Sequence, residues 1–253
     1  MQLFDLTGRC ALVTGSSKGI GFALTRGLAR AGAAVVLNGR DVAALAAARG
    51  RMAADGLTAH TAPFDVTDPD AVQAGVTGIE REIGAIDILV NNAGVQYRAP
   101  LADYPLDAWQ RLLATNLTSV FLVGQAVARH MIARGRGRIV NLCSVQSELS
   151  RPGIAPYAAT KGAVKMLTRG MATDWARFGL QINGLAPGYF KTELNAALVA
   201  DREFSAWLAG RTPAGRWGEV EELVGAAIFL ASDAASFVNG HILYVDGGIT
   251  ASL

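Results

Sequence analysis

The sequence predicts one α/β domain, a doubly wound parallel sheet with helices on both faces. Three observations predict it. Short apolar runs alternate with longer amphipathic ones, the pattern of successive βαβ units. A glycine-rich turn follows the first apolar run and opens a helix. The 253 residues are 51% hydrophobic and 17% charged, with no repeat, low-complexity tract or linker. That is enough apolar surface for a large core in one unit, and too much for a disordered chain.

The elements follow in order. Cys10–Val13 reads as strand one, and Ile20–Ala31 as a helix stopped by Gly32. Ala34–Leu37 is strand two and Val42–Ala54 an alanine-rich helix. Ala59–Pro63 is a weak third strand. Pro69 opens a helix to about Ile83, with Asp68 as its N-cap. Ile88–Val90 is strand four, Ser119–Ala133 a long helix and Ile139–Cys143 strand five. Tyr157–Trp175 is helical, Gln181–Leu185 is strand six and Ile242–Val245 strand seven. Residues 191–217 break the alternation; they carry Trp207 and Trp217 and read as a helical lid over the site. In such a sheet the ligand is expected at the carboxyl ends of the strands.

Composition excludes several classes. Lys plus Arg number 23 against 21 Asp plus Glu, a net charge of +2. The densest basic run, Arg134-Gly135-Arg136-Gly137-Arg138, reads as a solvated loop before a strand, not a nucleic-acid stripe. Cys10 and Cys143 sit in apolar runs and read as buried thiols of a reducing compartment. His60, His130 and His241 lack metal-ligand spacing, so no metal site is expected. The N-terminus lacks the basic and apolar regions of a signal peptide. The uncharged run Leu112 to Ala128 is interrupted by Asn116, Thr118 and Ser119 and falls short of a membrane span. The expectation is a cytoplasmic protein with a small-molecule substrate and neither a nucleic-acid nor a membrane partner.

Strand one runs into Thr14-Gly15-Ser16-Ser17-Lys18-Gly19-Ile20-Gly21. Gly15 permits the tight turn, Gly19 a close approach of backbone to pyrophosphate, and Gly21 close packing of helix on strand. The helix N-terminus offers free N–H groups and a positive dipole end to phosphates. Three glycines alone are a weak signal, but here they lie between a strand and a helix in the first βαβ unit. The loop therefore reads as a dinucleotide site of the Rossmann type. An NAD site wants a carboxylate near the end of strand two, for the ribose 2′-OH. This chain has Asn38-Gly39-Arg40 there. Asn38 does not repel a 2′-phosphate, Arg40 supplies a guanidinium fork, and Lys18 reaches the same region. Two cations and no anion point to NADP; the alternative is that Arg40 is a plain surface residue.

Tyr157 and Lys161 are four apart, one turn apart on one helix face. A free tyrosine titrates near ~10, and a nearby ammonium favours the phenolate. That pairing would let Tyr157 donate and accept a proton near working pH. Ser144 ends strand five, where its hydroxyl could hold a substrate oxygen against Tyr157. Asn116 precedes the long helix and could anchor a water between Lys161 and solvent.

With these residues in place the chain resembles the short-chain dehydrogenase/reductase family over its full length. The motifs that carry the resemblance are Thr14–Gly21, Asp65-Val66, Asn91-Asn92-Ala93-Gly94, Asn116, Ser144, Tyr157 with Lys161, and Pro187-Gly188. It implies a seven-stranded parallel sheet and, in most members, a homotetramer. It implies that Asp65 and Val66 border the adenine, and that Asn92, Ala93 and Gly94 line the cofactor cleft. Pro187, Gly188, Phe190 and Thr192 would meet the nicotinamide and pyrophosphate. Asn38 departs from the acidic residue of NAD-dependent members, which puts NAD in doubt and leaves catalysis intact.

Within that family, Ser144–Tyr157, Thr173-Asp174-Trp175, Gly188-Tyr189-Phe190, Arg211–Trp217 and Asp246-Gly247-Gly248-Ile249-Thr250 resemble the members that act on gluconate at C5. That implies NADP-linked, reversible interconversion of D-gluconate and 5-keto-D-gluconate. A sugar acid needs a cation and several hydrogen-bonding groups. Arg98, close after Asn91-Asn92-Ala93-Gly94, is the candidate for the carboxylate, or else a surface or inter-subunit arginine. Gln146 follows Ser144, and Tyr189 and Trp207 could wall the pocket. Glu148 orders the loop or a subunit contact. A 3-oxoacyl-acyl-carrier-protein reductase shares the scaffold and would need a basic surface by the cleft, for which Arg129, Arg134, Arg136 and Arg138 are the candidates. Another polyol or ketone reductase is a further alternative. A non-enzymatic dinucleotide-binding protein would not need the Ser-Tyr-Lys set.

Overall fold

The apolar runs become strands: β1 (Cys10–Val13), β2 (Ala34–Gly39), β3 (Ala59–Pro63), β4 (Ile86–Asn91), β5 (Gly137–Leu142), β6 (Leu180–Pro187) and β7 (Ile242–Val245), in a computed structural model that describes residues 2–252. They pair in parallel in the order β3-β2-β1-β4-β5-β6-β7. The chain winds outward from β1 to β3, then returns to place β4 on the other side of β1. The crevice at that reversal is where a doubly wound sheet binds ligand.

The helices are α1 (Gly19–Arg30), α2 (Val42–Ala54), α3 (Pro69–Glu82), α4 (Leu106–Leu113), α5 (Ser119–Arg134), α6 (Ala155–Trp175), α7 (Ala196–Ala200), α8 (Arg202–Arg211) and α9 (Val224–Ala231). Alternate strand residues face opposite layers. Cys10 and Leu12 pack with Val76 of α3, Val123 of α5 and Val164 of α6. Ala11 and Val13 pack with Leu24 of α1, Leu45 of α2 and Leu230 of α9. Because both faces are covered, the strands read as continuous apolar runs, not alternating ones. Capping places the helix starts. Asp41 accepts from the Ala44 N–H at 3.0 Å, and Asp68 from Asp70 and Ala71 at 2.9 and 3.1 Å.

Several limits differ from the sequence expectation. Strand four spans Ile86–Asn91 and strand six runs on to Pro187, while Cys143 lies just beyond β5. Two helices lie where no helix was expected. α4 begins after Pro105 with no side-chain cap, and α9 is apolar on every side, so it shows no helical period. α4 continues through a π turn, Ala114–Thr118, into α5. Asn116 therefore sits inside a helical run of 29 residues, not before it. By length and composition that run could cross a bilayer, contrary to expectation. Half of its apolar stretch is buried, and Val120, Val123, Val127 and Met131 are spent on the sheet.

Of the basic run only Gly135 and Arg136 form the exposed loop that was expected. Gly137 and Arg138 belong to β5, and Arg138 is buried beside Asp233 at 3.2 Å. Arg134 is held by Glu80 at 2.6 Å. These arginines lie at the amino end of the strand, away from the cleft.

Candidate active site

One cavity of about 510 Å³ opens at the carboxyl ends of the strands. Into it come Gly15, Ser17, Lys18, Gly19, Ile20 and Gly21 from the first loop, and Asn38 and Arg40 from the end of β2. Asp65 and Val66 follow β3, and Asn92, Ala93 and Gly94 follow β4. Ser144 and Gln146 follow β5, Tyr157 and Lys161 come from α6, and Pro187, Gly188, Tyr189, Phe190 and Thr192 enter around the end of β6. Arg98 joins them. Of the predicted site residues Asn116 stays behind the wall, fully buried. Trp207 is not in the lining; it packs edge-on against Tyr189, centroids 6.4 Å apart. The lining also includes Arg111, Arg151, Glu193 and Asn195, which carried no sequence motif.

The first loop fits a dinucleotide's phosphates. The residue before α1, Lys18, makes no side-chain cap, and the first turn carries no acid, so its N–H groups face the cleft without a side-chain acceptor. Gly19 has φ +58°, and a Cβ built there would meet nothing within 4 Å. Its open side is cavity, where backbone can approach a ligand. At Gly21 a Cβ would fall 2.4 Å from Asn92 Nδ2 and 2.6 Å from the Gly15 carbonyl. That glycine is needed because Asn92 braces the loop, donating to the Thr14 and Gly15 carbonyls at 2.9 and 3.0 Å.

At the adenosine end the cations are already partnered. Arg40 pairs with Asp65 at 3.4 Å and is mostly exposed. Asp65 lies below its ordinary value: partial burial pushes it up, but the Thr67 backbone and hydroxyl, then Arg40, pull it down further. Lys18 reaches not Arg40's region but Glu193, at 3.2 Å across the cleft mouth. Asn38 is buried, and its amide donates to the Ala62 and Phe64 carbonyls at 3.0 and 3.2 Å, while its Oδ1 has no partner. One connection was not foreseen. Arg51 of α2 stacks on Phe22, 4.0 Å from the ring centre, and donates to the Ser17 carbonyl at 2.6 Å. It ties α2 to the phosphate loop.

At the reacting end, Lys161 Nζ donates to the Leu142 carbonyl at 2.6 Å and lies 5.8 Å from the Tyr157 ring centre. Burial pushes Lys161 down to about 8. Burial pushes Tyr157 up to about 12, with the Ser144 hydroxyl and the Arg98 guanidinium working against it. The expectation was a tyrosine lowered by the Lys161 ammonium with help from an oxidised nicotinamide; in the protein alone the tyrosine is raised. Loss of water on burial is the larger influence on the phenol. Ser144 donates from Oγ to Gln146 Oε1 at 2.5 Å, and Gln146 Nε2 donates to the Tyr189 hydroxyl at 3.2 Å. Asn116 Oδ1 accepts from the Val95 N–H at 2.8 Å, and its amide donates to the Val95 carbonyl at 2.9 Å and Thr160 Oγ1 at 3.3 Å. Both its donors are therefore spent on holding the loop after β4 against α6.

The charge of the cavity is uneven. Asp65 and Glu193 are the carboxylates of the lining, and both are paired, with Arg40 and Lys18. Arg98, Arg111 and Arg151 also line the cavity, and among the described residues none has a carboxylate within 4.0 Å.

Comparison with known proteins agrees with this geometry. Residues 15–250 match the family model described as Enoyl-(Acyl carrier protein) reductase. The gluconate 5-dehydrogenase of Gluconobacter oxydans is 68% identical over 252 residues, covering 100% of this chain and 98% of that protein. The 5-keto-D-gluconate 5-reductase of Escherichia coli K12 is 52% identical over 252 residues, covering 100% and 99%. A crystal structure of a gluconate 5-dehydrogenase from Burkholderia cenocepacia J2315, in complex with NADP and tartrate, is 61% identical with a TM-score of 0.97, covering 100% of this chain and 99% of that one. A parallel seven-stranded sheet, a glycine loop under a dinucleotide-sized cleft, and Ser144, Tyr157 and Lys161 gathered at its inner end thus coincide with full-length similarity to such enzymes, and the chain belongs to the short-chain dehydrogenase/reductase family of NAD(P)-dependent oxidoreductases.

Proposed function

We propose that the enzyme reversibly interconverts D-gluconate and 5-keto-D-gluconate with NADP. The observation that carries the substrate class is that Arg98, Arg111 and Arg151 line the cavity with no carboxylate within 4.0 Å among the described residues. A sugar acid supplies the missing anion. The similarity to gluconate 5-dehydrogenases and 5-keto-D-gluconate reductases supports the same reading. Of the arginines considered for an acyl-carrier-protein surface, Arg134 and Arg138 are held by Glu80 and Asp233 at the amino end of β5 and Arg129 and Arg136 are not in the cavity lining, which speaks against that alternative.

NADP, when bound, would supply the hydride acceptor or donor and, when oxidised, a positive charge. The chain does the rest. Ser144 and Tyr157 would bond the C5 oxygen; in oxidation Tyr157 as its phenolate would take the C5 hydroxyl proton while hydride leaves C5, and in reduction Tyr157 as the neutral phenol would return that proton. Lys161, anchored on the Leu142 carbonyl, holds the nicotinamide ribose and keeps a cation near the phenol. Asn116 positions the loop after β4 against α6. Arg40 leaves Asp65 to take the 2′-phosphate by charge-assisted bonds. Arg98 takes the substrate carboxylate, with Gln146 and Tyr189 on its hydroxyls. Residues 191–217 cover the cleft, and the working form is a homotetramer in the cytoplasm.

The test is oxidation of D-gluconate with NADP, with the product identified by NMR. The 5-keto acid is the expected product. A 2-keto acid, or no oxidation, overturns the assignment.

A further inference from the structure

Arg151 lies in the turn between β5 and α6, six residues before Tyr157, and no motif singles it out. It lines the cavity opposite the phosphate loop. Its Nε donates to the Tyr189 hydroxyl at 3.2 Å, and its guanidinium carbon stands 5.2 Å from the centre of the Phe204 ring on α8. Its two terminal nitrogens have no partner among the described residues. An arginine held for structural reasons spends its fork on carboxylates or carbonyls, as Arg134 does on Glu80 and the Ile86 carbonyl. Arg151 spends only its inner nitrogen, which fixes the plane of the fork and leaves its outer edge free.

Tyr189 is committed in a way that matters. Its oxygen accepts from Arg151 Nε and from Gln146 Nε2, both at 3.2 Å. A phenol oxygen has two acceptor positions, and both are filled. Its own proton is left to donate, and Tyr189 lines the cavity. Gln146 in turn accepts from Ser144 Oγ at 2.5 Å. An unbroken hydrogen-bonded chain therefore joins Arg151, Tyr189, Gln146 and Ser144. Arg98 borders the same space, and the two guanidiniums repel each other, as the downward pull of Arg151 on Arg98 records. Two like charges in a partly desolvated cleft call for an anion between them.

The geometry points to Arg151 as a second carboxylate-binding residue, with the Tyr189 hydroxyl beside it, coupled through Gln146 to the placement of Ser144. The ligand is the carboxylate of an aldonate, so this rests on the sugar-acid reading above. The carboxylate then does more than add affinity. By fixing Arg151 and Tyr189 it fixes Gln146, and with it the Ser144 hydroxyl that meets the reacting oxygen. The uncharged polyol with the same carbon chain cannot do this.

The test compares D-gluconate with D-glucitol, in which the carboxylate is replaced by a hydroxymethyl group. Wild type, Arg151→Gln and Arg151→Lys are assayed by steady-state kinetics with NADP, and D-gluconate is titrated calorimetrically into the NADP-loaded proteins. In Arg151→Gln the ratio of kcat/KM for gluconate to that for glucitol falls at least tenfold, and gluconate binding weakens in step. Arg151→Lys restores KM more than kcat, because lysine returns the charge but not the Nε bond to Tyr189. An unchanged ratio and unchanged gluconate affinity in Arg151→Gln overturn the binding role. Equal recovery of KM and kcat by lysine overturns the coupling. If wild type binds gluconate without oxidising it, the proposed reaction fails alone, and the calorimetric difference between wild type and Arg151→Gln still decides the role of Arg151. If wild type neither oxidises nor binds gluconate, both readings fall.

Discussion

The two ends of the cleft are built differently. Around the phosphate loop and the end of β2 the lining cations have carboxylates: Lys18 has Glu193 and Arg40 has Asp65. At the reacting end Arg98, Arg111 and Arg151 have none among the described residues. The first end is held by backbone, by glycines and by Asn92 on the loop carbonyls, and its charges are exposed and exchangeable. The second is held by side chains from loops far apart in sequence, and its charges wait for a ligand. Exposed pairs are worth little, so Asp65 is readily displaced by a phosphate. Arg98 and Arg111 are exposed and Arg151 is half-buried, and none of them has a carboxylate to displace before an anion enters.

The predictions test this contrast, from the largest effect to the smallest. Tyr157→Phe removes the proposed proton donor and acceptor at the reacting end and is expected to lower kcat about thousandfold. NADPH affinity, followed by its fluorescence, should change less than about threefold, because the adenosine end is untouched. Comparable losses in both would dissolve the division of the cleft.

Lys161 sits at the boundary between the ends. Burial lowers it from 10.5 to about 8, so between those values the unfolded chain binds the extra proton. Stability contributed at this site therefore rises with pH across that window. The neutral Lys161→Met lacks this slope. The stability of the variant relative to wild type, from urea unfolding, should fall by about 3 kcal/mol between pH 7 and 10.5. A pH-independent difference would mean that Lys161 is not held in a desolvated site.

Arg40→Asp reverses a charge at the 2′-phosphate position. It should raise the NADP Michaelis constant about a hundredfold and that for NAD far less, since one charge-assisted bond is lost and one repulsion gained. Equal effects on the two cofactors would remove Arg40 from discrimination. Arg98→Ala should raise the gluconate Michaelis constant about tenfold with NADP affinity intact. No change would return Arg98 to the surface role left open for it.

The sequence was legible where the chemistry is contiguous. The glycine loop, Asn38 with Arg40, Asp65-Val66, and Tyr157 with Lys161 are short motifs whose spacing a helix or turn fixes, and all of them reach the cavity. The seven strands and their parallel sense were readable too, strand three only weakly, because strands covered on both faces are continuous apolar runs joined by helices; the order in which they lie was not. What escaped is what three-dimensional context decides. α9 is apolar all round and has no period to find. Asn116 looked like a residue before a helix because the π turn leaves no mark in composition. Trp207 shares a segment with Trp217, yet one is half exposed and the other buried against Tyr189. Arg151 lay inside a stretch already quoted for its resemblance, but nothing in sequence says that its fork is free. The tyrosine's upward shift was missed for the same reason: proximity to Lys161 is visible in spacing, but desolvation is not.

The most direct test is the initial rate of NADPH oxidation with 5-keto-D-gluconate, measured beside NADH and beside an acetoacetyl thioester. Fast turnover with NADPH and the keto acid, and little with the other pairs, is the predicted result. Turnover with the thioester or with NADH in preference would contradict it, and would show that the unpaired arginines at the reacting end do not select a sugar acid or that Arg40 does not select the phosphate.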